Sequence, residues 1–106
     1  MLRVYPVILE VLRGIRSHLV QIERRDADLA RQLRRASASV ALNVAEGMYS
    51  RGKNREARYH SALGSAREAQ AALEVACAFG YISELEPELR AQLREVLGTL
   101  VKLARA

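Results

Sequence analysis

Tryptophan is absent from this chain, phenylalanine and cysteine occur once each, and two prolines interrupt 106 residues. Each scarcity removes a class of fold or chemistry. A lone cysteine, Cys77, supports neither a disulfide framework nor a cysteine-based zinc site. It lies in the apolar helical stretch EVACAFG and reads as a small buried hydrophobe rather than a nucleophile. Clusters of β-branched and aromatic residues are few and alternating runs are missing, so strands have no signal. Breakers are equally sparse, which leaves room for long helices. No apolar run reaches membrane-spanning length: YPVILEVL is short and is interrupted by Glu10 and Arg13. With no signal-peptide pattern either, the expected location is the cytoplasm. His18 and His60 fall on different predicted helices without a Glu-x-x-His motif, so no metal or cofactor is expected.

What remains is half apolar, enough for one packed domain of ordinary size. Helical periodicity divides it into four segments. The first runs from about Pro6 to Ile22, with Pro6 in the first turn, where a missing N–H costs nothing. Ile8, Leu12, Ile15, Leu19 and Ile22 make one apolar stripe, and Val4, Val7 and Val11 lie beside it. The second stripe exceeds what one core needs and predicts contact with another subunit. Asp26 or Asp28 is placed to cap a second helix over Ala27 to Tyr49, whose seam reads Leu33, Ala36, Val40, Asn43 and Gly47. SRGKN breaks that helix, with Gly52 free to take positive φ. A third helix is predicted from Asn54, as cap, with Glu56 in its first turn, to Phe79, with Gly80 as its stop. Tyr59, Ala62, Ala66, Ala69, Leu73 and Ala76 form its seam. The fourth opens at SELEPE, where Ser83 and Glu86 fit a capping box and Pro87 stays in the first turn. Its stripe is Leu85, Leu89, Leu93, Val96, Leu100 and Leu103. Short turns join all four, which predicts an all-α, single-domain, up-down-up-down antiparallel four-helix bundle. The wealth of small residues in the middle helices predicts that those two pack most closely.

Asn43 falls on the second seam, where a buried amide must be hydrogen-bonded or cost about 1–3 kcal/mol. Folding back about the 50–54 turn brings Ser61 and Ser65 near it, and Glu68 a turn further on. Asn43, Glu46, Ser65 and Glu68 are therefore expected as a structural polar cluster, with Asn43 setting helix register. Glu46 and Glu68 are the obvious acid–base pair, but no nucleophile or metal set accompanies them, so no catalytic residue is assigned.

The charge is uneven. Residues 1–60 carry twelve Lys and Arg against six Asp and Glu, and residues 61–106 carry five against six. A basic half points to an acidic partner such as nucleic acid or an acidic protein surface. Arg24, Arg25, Arg31, Arg34 and Arg35 gather around the first turn, and Arg51, Lys53, Arg55 and Arg58 at the opposite end. SRGKNR lacks the glycine spacing of a phosphate loop and reads as a basic turn, in which Arg51 can pair with Glu46. No aromatic platform is evident beside it, so stacking of single-stranded bases is not indicated.

The stretch QLRRASASVALNVAEGMYSRGKNREARYHSALGSAREAQAALEVACAFGYI, residues 32–82, resembles a family of four-helix-bundle proteins encoded in intervening sequences of 23S ribosomal RNA genes. The family also includes the accessory variability determinant of diversity-generating retroelements. The resemblance rests on Arg34, Arg35, Ala36, Ser39, Asn43, Ala45, Glu46 and Gly47, then Arg51, then Gly64, Ser65, Glu68, Leu73, Ala76, Gly80 and Tyr81. The first helix and the 23–28 turn depart from the family pattern. The resemblance implies a bundle and, for retroelement members, a homopentamer whose basic surface engages RNA and a reverse transcriptase; it does not imply an enzyme. The resulting expectation is a non-enzymatic, oligomeric nucleic-acid-binding or adaptor protein. The alternative is a scaffold for an acidic protein.

Overall fold

A computed structural model describes residues 2–105. Four helices follow in order: α1 (Val4–Arg25), α2 (Ala27–Met48), α3 (Gly52–Ala78) and α4 (Pro87–Arg105). Each packs against its chain neighbours and α4 closes back on α1, which gives the up-down-up-down bundle. Among the described residues there is no strand.

The buried face of α1 is Val4, Ile8, Val11, Ile15, His18 and Ile22, a strict four-three alternation. This corrects the two-stripe reading. Val4 and Val11 belong to the bundle's own core, whereas Leu12 and Leu19 flank it half-buried. A seam that alternates four and three runs down one side of the helix, and the sequence stripe had taken its neighbours for its members. The apolar surplus on α1 therefore no longer argues for a second subunit.

Asp26 alone separates α1 from α2. Its carboxylate accepts from the Leu29 N–H at 3.0 Å, so it, rather than Asp28, caps α2. The buried face of α2 is Leu29, Ala30, Leu33, Ala36, Ser37, Val40, Ala41, Val44 and Gly47. The Ser37 hydroxyl donates to the Leu33 carbonyl at 2.6 Å, which satisfies a buried polar group within its own helix. On α3 every residue of the predicted seam is buried. Helices α2 and α3 make the most extensive contact in the molecule, as their small residues predict.

Gly47 shows how close that contact is. A Cβ there would lie 2.4 Å from Cε1 of the buried Tyr59 ring. The ring fills the space that the missing side chain leaves and fixes α3 against the end of α2.

Helix α1 extends beyond its expected ends, from Val4 to Arg25, and two N-caps differ from the sequence reading. Helix α3 starts at Gly52, with φ +57°, and Arg51 is its N-cap without a side-chain hydrogen bond; Asn54 lies inside the first turn and Glu56 beyond it. Ser83 is not a cap either. Helix α4 begins four residues later, at Pro87, and the Glu86 carboxylate turns to His18. Gly80 ends α3 as expected: its φ is +76°, and the Tyr81 N–H returns to the Ala76 carbonyl at 2.9 Å.

The His18 imidazole is buried, and its Nε2–H donates to Glu86 Oε1 at 2.9 Å. That hydrogen bond is the main cause that holds the Glu86 carboxyl below its ordinary value. A lowered carboxylate pKa means that the stabilisation is complete above the unfolded pKa and is lost as pH falls through the folded one. Replacing Glu86 with Ala should therefore lower the melting temperature at neutral pH, and the difference from wild type should shrink on acidification. Thermal unfolding of both proteins across acid to neutral pH checks this; a constant difference would contradict it.

Candidate nucleic-acid interface

The antiparallel arrangement sorts the charges by bundle end. One end collects the start of α1, the α2–α3 turn and the end of α4. Here Arg3, Arg51, Lys53, Arg55, Arg58, Lys102 and Arg105 face three acids, Glu46, Glu56 and Glu95, a side-chain balance of +4. The other end collects the α1–α2 joint and the α3–α4 connection. There six arginines (Arg24, Arg25, Arg31, Arg34, Arg90 and Arg94) meet seven acids: Glu23, Asp26, Asp28, Glu74, Glu84, Glu86 and Glu88. The formal charge of the whole chain is +5, so the first end accounts for most of it.

All nine predicted binding residues are exposed, yet they do not form two equivalent clusters. At the mixed end Arg31 pairs with Asp28 at 3.0 Å and Arg34 with Glu23 at 3.4 Å. The Arg25 guanidinium lies 5.7 Å from the centroid of the Tyr81 ring, which stacks on Phe79 with centroids 5.3 Å apart. Desolvation, then the Asp26 carboxylate, push the Tyr81 hydroxyl above the usual phenol value. The cluster that looked basic in sequence is thus largely balanced by acids from α1, α2 and the α3–α4 connection. Arg24 makes no ion pair among the described residues. Arg35 sits apart, lining a shallow groove between α2 and α3 with Ser39, Asn43, Glu46 and Arg58.

At the basic end Arg51, Lys53, Arg55, Lys102 and Arg105 are exposed and make no ion pair among the described residues. The expected Arg51–Glu46 pair is replaced by Arg58–Glu46, at 2.8 Å. Arg58 lies almost two turns inside α3, level with Glu46, whereas Arg51 lies beyond the end of α2. Arg55 Nε donates to the Ser50 carbonyl at 2.9 Å, and the Ser50 hydroxyl to the Glu46 carbonyl at 2.8 Å. The turn is therefore braced from both sides. Tyr49 projects from it 89% exposed, so the basic turn does carry an aromatic ring, contrary to the sequence reading. The clue available in sequence is that Tyr49 lies two residues past Gly47, off the buried face of α2.

The polar cluster also differs from its expected membership. Asn43 is half-buried at the edge of the α2–α3 seam, not in the core. Its amide donates to the carbonyl and the hydroxyl of Ser39, each at 3.0 Å, and Arg58 reaches its oxygen at 3.5 Å. Ser65 crosses from α3 and donates to the Ser39 hydroxyl at 2.7 Å. Ser61 and Glu68 are exposed, and Glu68 makes no hydrogen bond or ion pair among the described side chains. From the Ser39–Ser65 contact, Glu68 lies toward the mixed end and Glu46 toward the basic end, so the two carboxylates do not form a pair. The cluster is Ser39, Asn43, Glu46, Arg58 and Ser65. Its signal in sequence is the four-residue spacing of Arg35, Ser39 and Asn43, a stripe beside the core face. Cys77 is half-buried rather than buried, and its thiol donates to the Ser83 carbonyl at 3.4 Å.

Asn43 bonds chiefly within its own helix, so Asn43→Ala should cost only about 1 kcal/mol and leave assembly unchanged. Chemical denaturation and light scattering check both statements; a change of oligomer size would restore the register role.

The 23S rRNA-intervening sequence protein family model matches residues 7–102. A crystal structure of a protein with unknown function from the S23 ribosomal protein family, from Bacteroides thetaiotaomicron, superposes with a TM-score of 0.81 at 18% identity. The match covers 97% of this chain and 99% of that one, and it shows a shared fold. No curated protein matches the chain. Among the described residues no helix is long and apolar enough to cross a membrane.

Proposed function

This chain belongs to the 23S rRNA-intervening sequence protein family, and from that premise we propose that it is a non-enzymatic, cytoplasmic protein that binds the phosphate backbone of nucleic acid, RNA first, through the basic end of its bundle. The observation that carries this is the segregation of charge. Five cations of the α2–α3 turn, α3 and α4 that make no ion pair among the described residues converge on one end, while the arginines of the other end are set among acids. Ion pairs already made within a protein are not free to release counterions from a polyanion; unpaired surface cations are.

The proposal includes assembly into a homo-oligomer, five copies by the family resemblance. Cyclic closure would repeat the basic end around one axis and strengthen a weak backbone contact through multivalency. Association with a reverse transcriptase would follow for a retroelement branch of the family, with the nucleic acid as a shared ligand.

Two measurements test this reading. Salt-titrated binding to structured RNA and to duplex DNA should give an affinity that falls steeply and linearly on logarithmic axes. Light scattering should give a mass several times that of the monomer. Absence of binding at low salt would sink the nucleic-acid reading, and nuclease-resistant capture of an acidic protein would then favour the scaffold. A monomer at micromolar concentration would remove the ring.

A further inference from the structure

We infer that Tyr49 is a stacking platform for an unpaired nucleobase, so that the basic end prefers single-stranded or looped nucleic acid over a continuous duplex. This rests on the proposed nucleic-acid reading and narrows its ligand. Several observations meet at one place. Tyr49 is among the large side chains left on the surface and is the most exposed of them, at 89%. No core position claims it: α2 buries Val44 and Gly47, and the ring points away from that face. Its backbone is nevertheless fixed. The Tyr49 N–H returns to the Glu46 carbonyl at 3.1 Å and the Ser50 N–H to the Gly47 carbonyl at 3.2 Å. The Ser50 and Arg55 side chains brace the next residue, and Tyr59 packs against Gly47 two residues before Tyr49. With the backbone already fixed, only the side-chain torsions of Tyr49 remain to be ordered when a base stacks on it.

Charge selects the occupant. Arg51 and Lys53 lie within four residues of Tyr49, both exposed and unpaired among the described residues. An aromatic face flanked by free cations matches a base and its adjoining phosphates, the combination by which sequence-tolerant single-strand sites work. Bases within a duplex offer no such face, because both sides are already stacked. The second exposed aromatic group, Phe79 on Tyr81, lies at the mixed end, where the Arg25 guanidinium over Tyr81 is offset by Asp26, and serves as the internal control. Stacking and phosphate contacts do not read the ribose, so RNA and DNA strands share the required chemistry.

The test is fluorescence anisotropy of the full chain with a labelled single-stranded RNA, the DNA of the same sequence, and a blunt RNA duplex. The wild type should bind both single strands more tightly than the duplex. Tyr49→Ala should weaken single-strand binding by about 5- to 150-fold and duplex binding far less. Tyr49→Phe should retain wild-type affinity within about twofold, because the π-face remains. Phe79→Ala should leave every affinity unchanged. A single-strand preference confined to RNA would locate additional recognition at the ribose while upholding the platform. If the wild type binds with the expected salt dependence but Tyr49→Ala binds single strands equally well, the platform is wrong and the backbone-binding reading stands. If the wild type binds none of the three at low salt, both fall.

Discussion

Reversing three unpaired charges at the basic end, in the combined variant Arg51→Glu, Lys53→Glu and Lys102→Glu, should lower RNA affinity near physiological salt on the order of a hundredfold. Each lost cation removes one released counterion, so the slope of log affinity against log salt should become shallower by about two to three. The three residues come from the α2–α3 turn and from α4, and all are exposed without an ion pair among the described residues. The helix-dipole effects on stability are small and opposed: glutamate at position 102 replaces a cation in the last turn of α4 and costs about 0.3–1 kcal/mol. Glutamates at positions 51 and 53 would sit at the start of α3, whose first turn contains no acid, and there they favour the helix. The matched variant Arg24→Glu, Arg31→Glu and Arg34→Glu changes the formal charge equally at the other end. Arg31 and Arg34 are already paired, so its effect on affinity should be much smaller. Equal losses in the two variants would mean that net charge alone governs binding.

The second large effect concerns stability. Gly47→Val should destabilise the bundle by about 3 kcal/mol or more, because a branched side chain would enter the space occupied by the Tyr59 ring. In a domain of this size that corresponds to a fall in melting temperature of about 10 °C or more. The clash is with the edge of a buried ring, 4% exposed, so it cannot be relieved by rotating a free chain end. Combining Gly47→Ala with Tyr59→Ala isolates the contact. Alanine at position 47 restores helix propensity once the ring is gone, so the double variant should be less destabilised than the sum of the singles. Simple additivity, measured by denaturant unfolding, would show that Gly47 is not required by this approach. The same contact holds the start of α3 against the end of α2, and therefore holds the turn that carries Tyr49, Arg51 and Lys53.

The bundle was legible in sequence because helix periodicity, caps and stops agreed. Gly52 and Gly80 both take the positive φ that their turn positions demand, and the seam of α3 is buried throughout. Register within a helix was harder to read. On α1, Leu12 and Leu19 are as apolar as Val4 and Val11, and only the position of the neighbouring helices decides which pair is enclosed. Asn43 shows the same limit: it is one position off the buried Val44, and a quarter-turn of helix separates core from edge. The basic end was visible only in part. Arg51, Lys53 and Arg55 are adjacent in sequence, but Lys102 and Arg105 join them solely because α4 runs back to that end. The arginines around the first turn looked equally promising, but Arg31 and Arg34 are taken up by Asp28 and Glu23, acids of the same stretch whose pairing depends on how α1 and α2 face each other and on helix spacing.

The central claim is that nucleic acid engages one end of the bundle and not the other. Its most direct test is amide chemical-shift mapping of the isotope-labelled protein during titration with a short single-stranded RNA. Shifts should concentrate at residues 49–55 and 102–105, with residues 23–34 and 79–88 little changed. Perturbations centred on the Arg24–Arg34 and Phe79–Tyr81 end, with the 49–55 turn silent, would contradict the account.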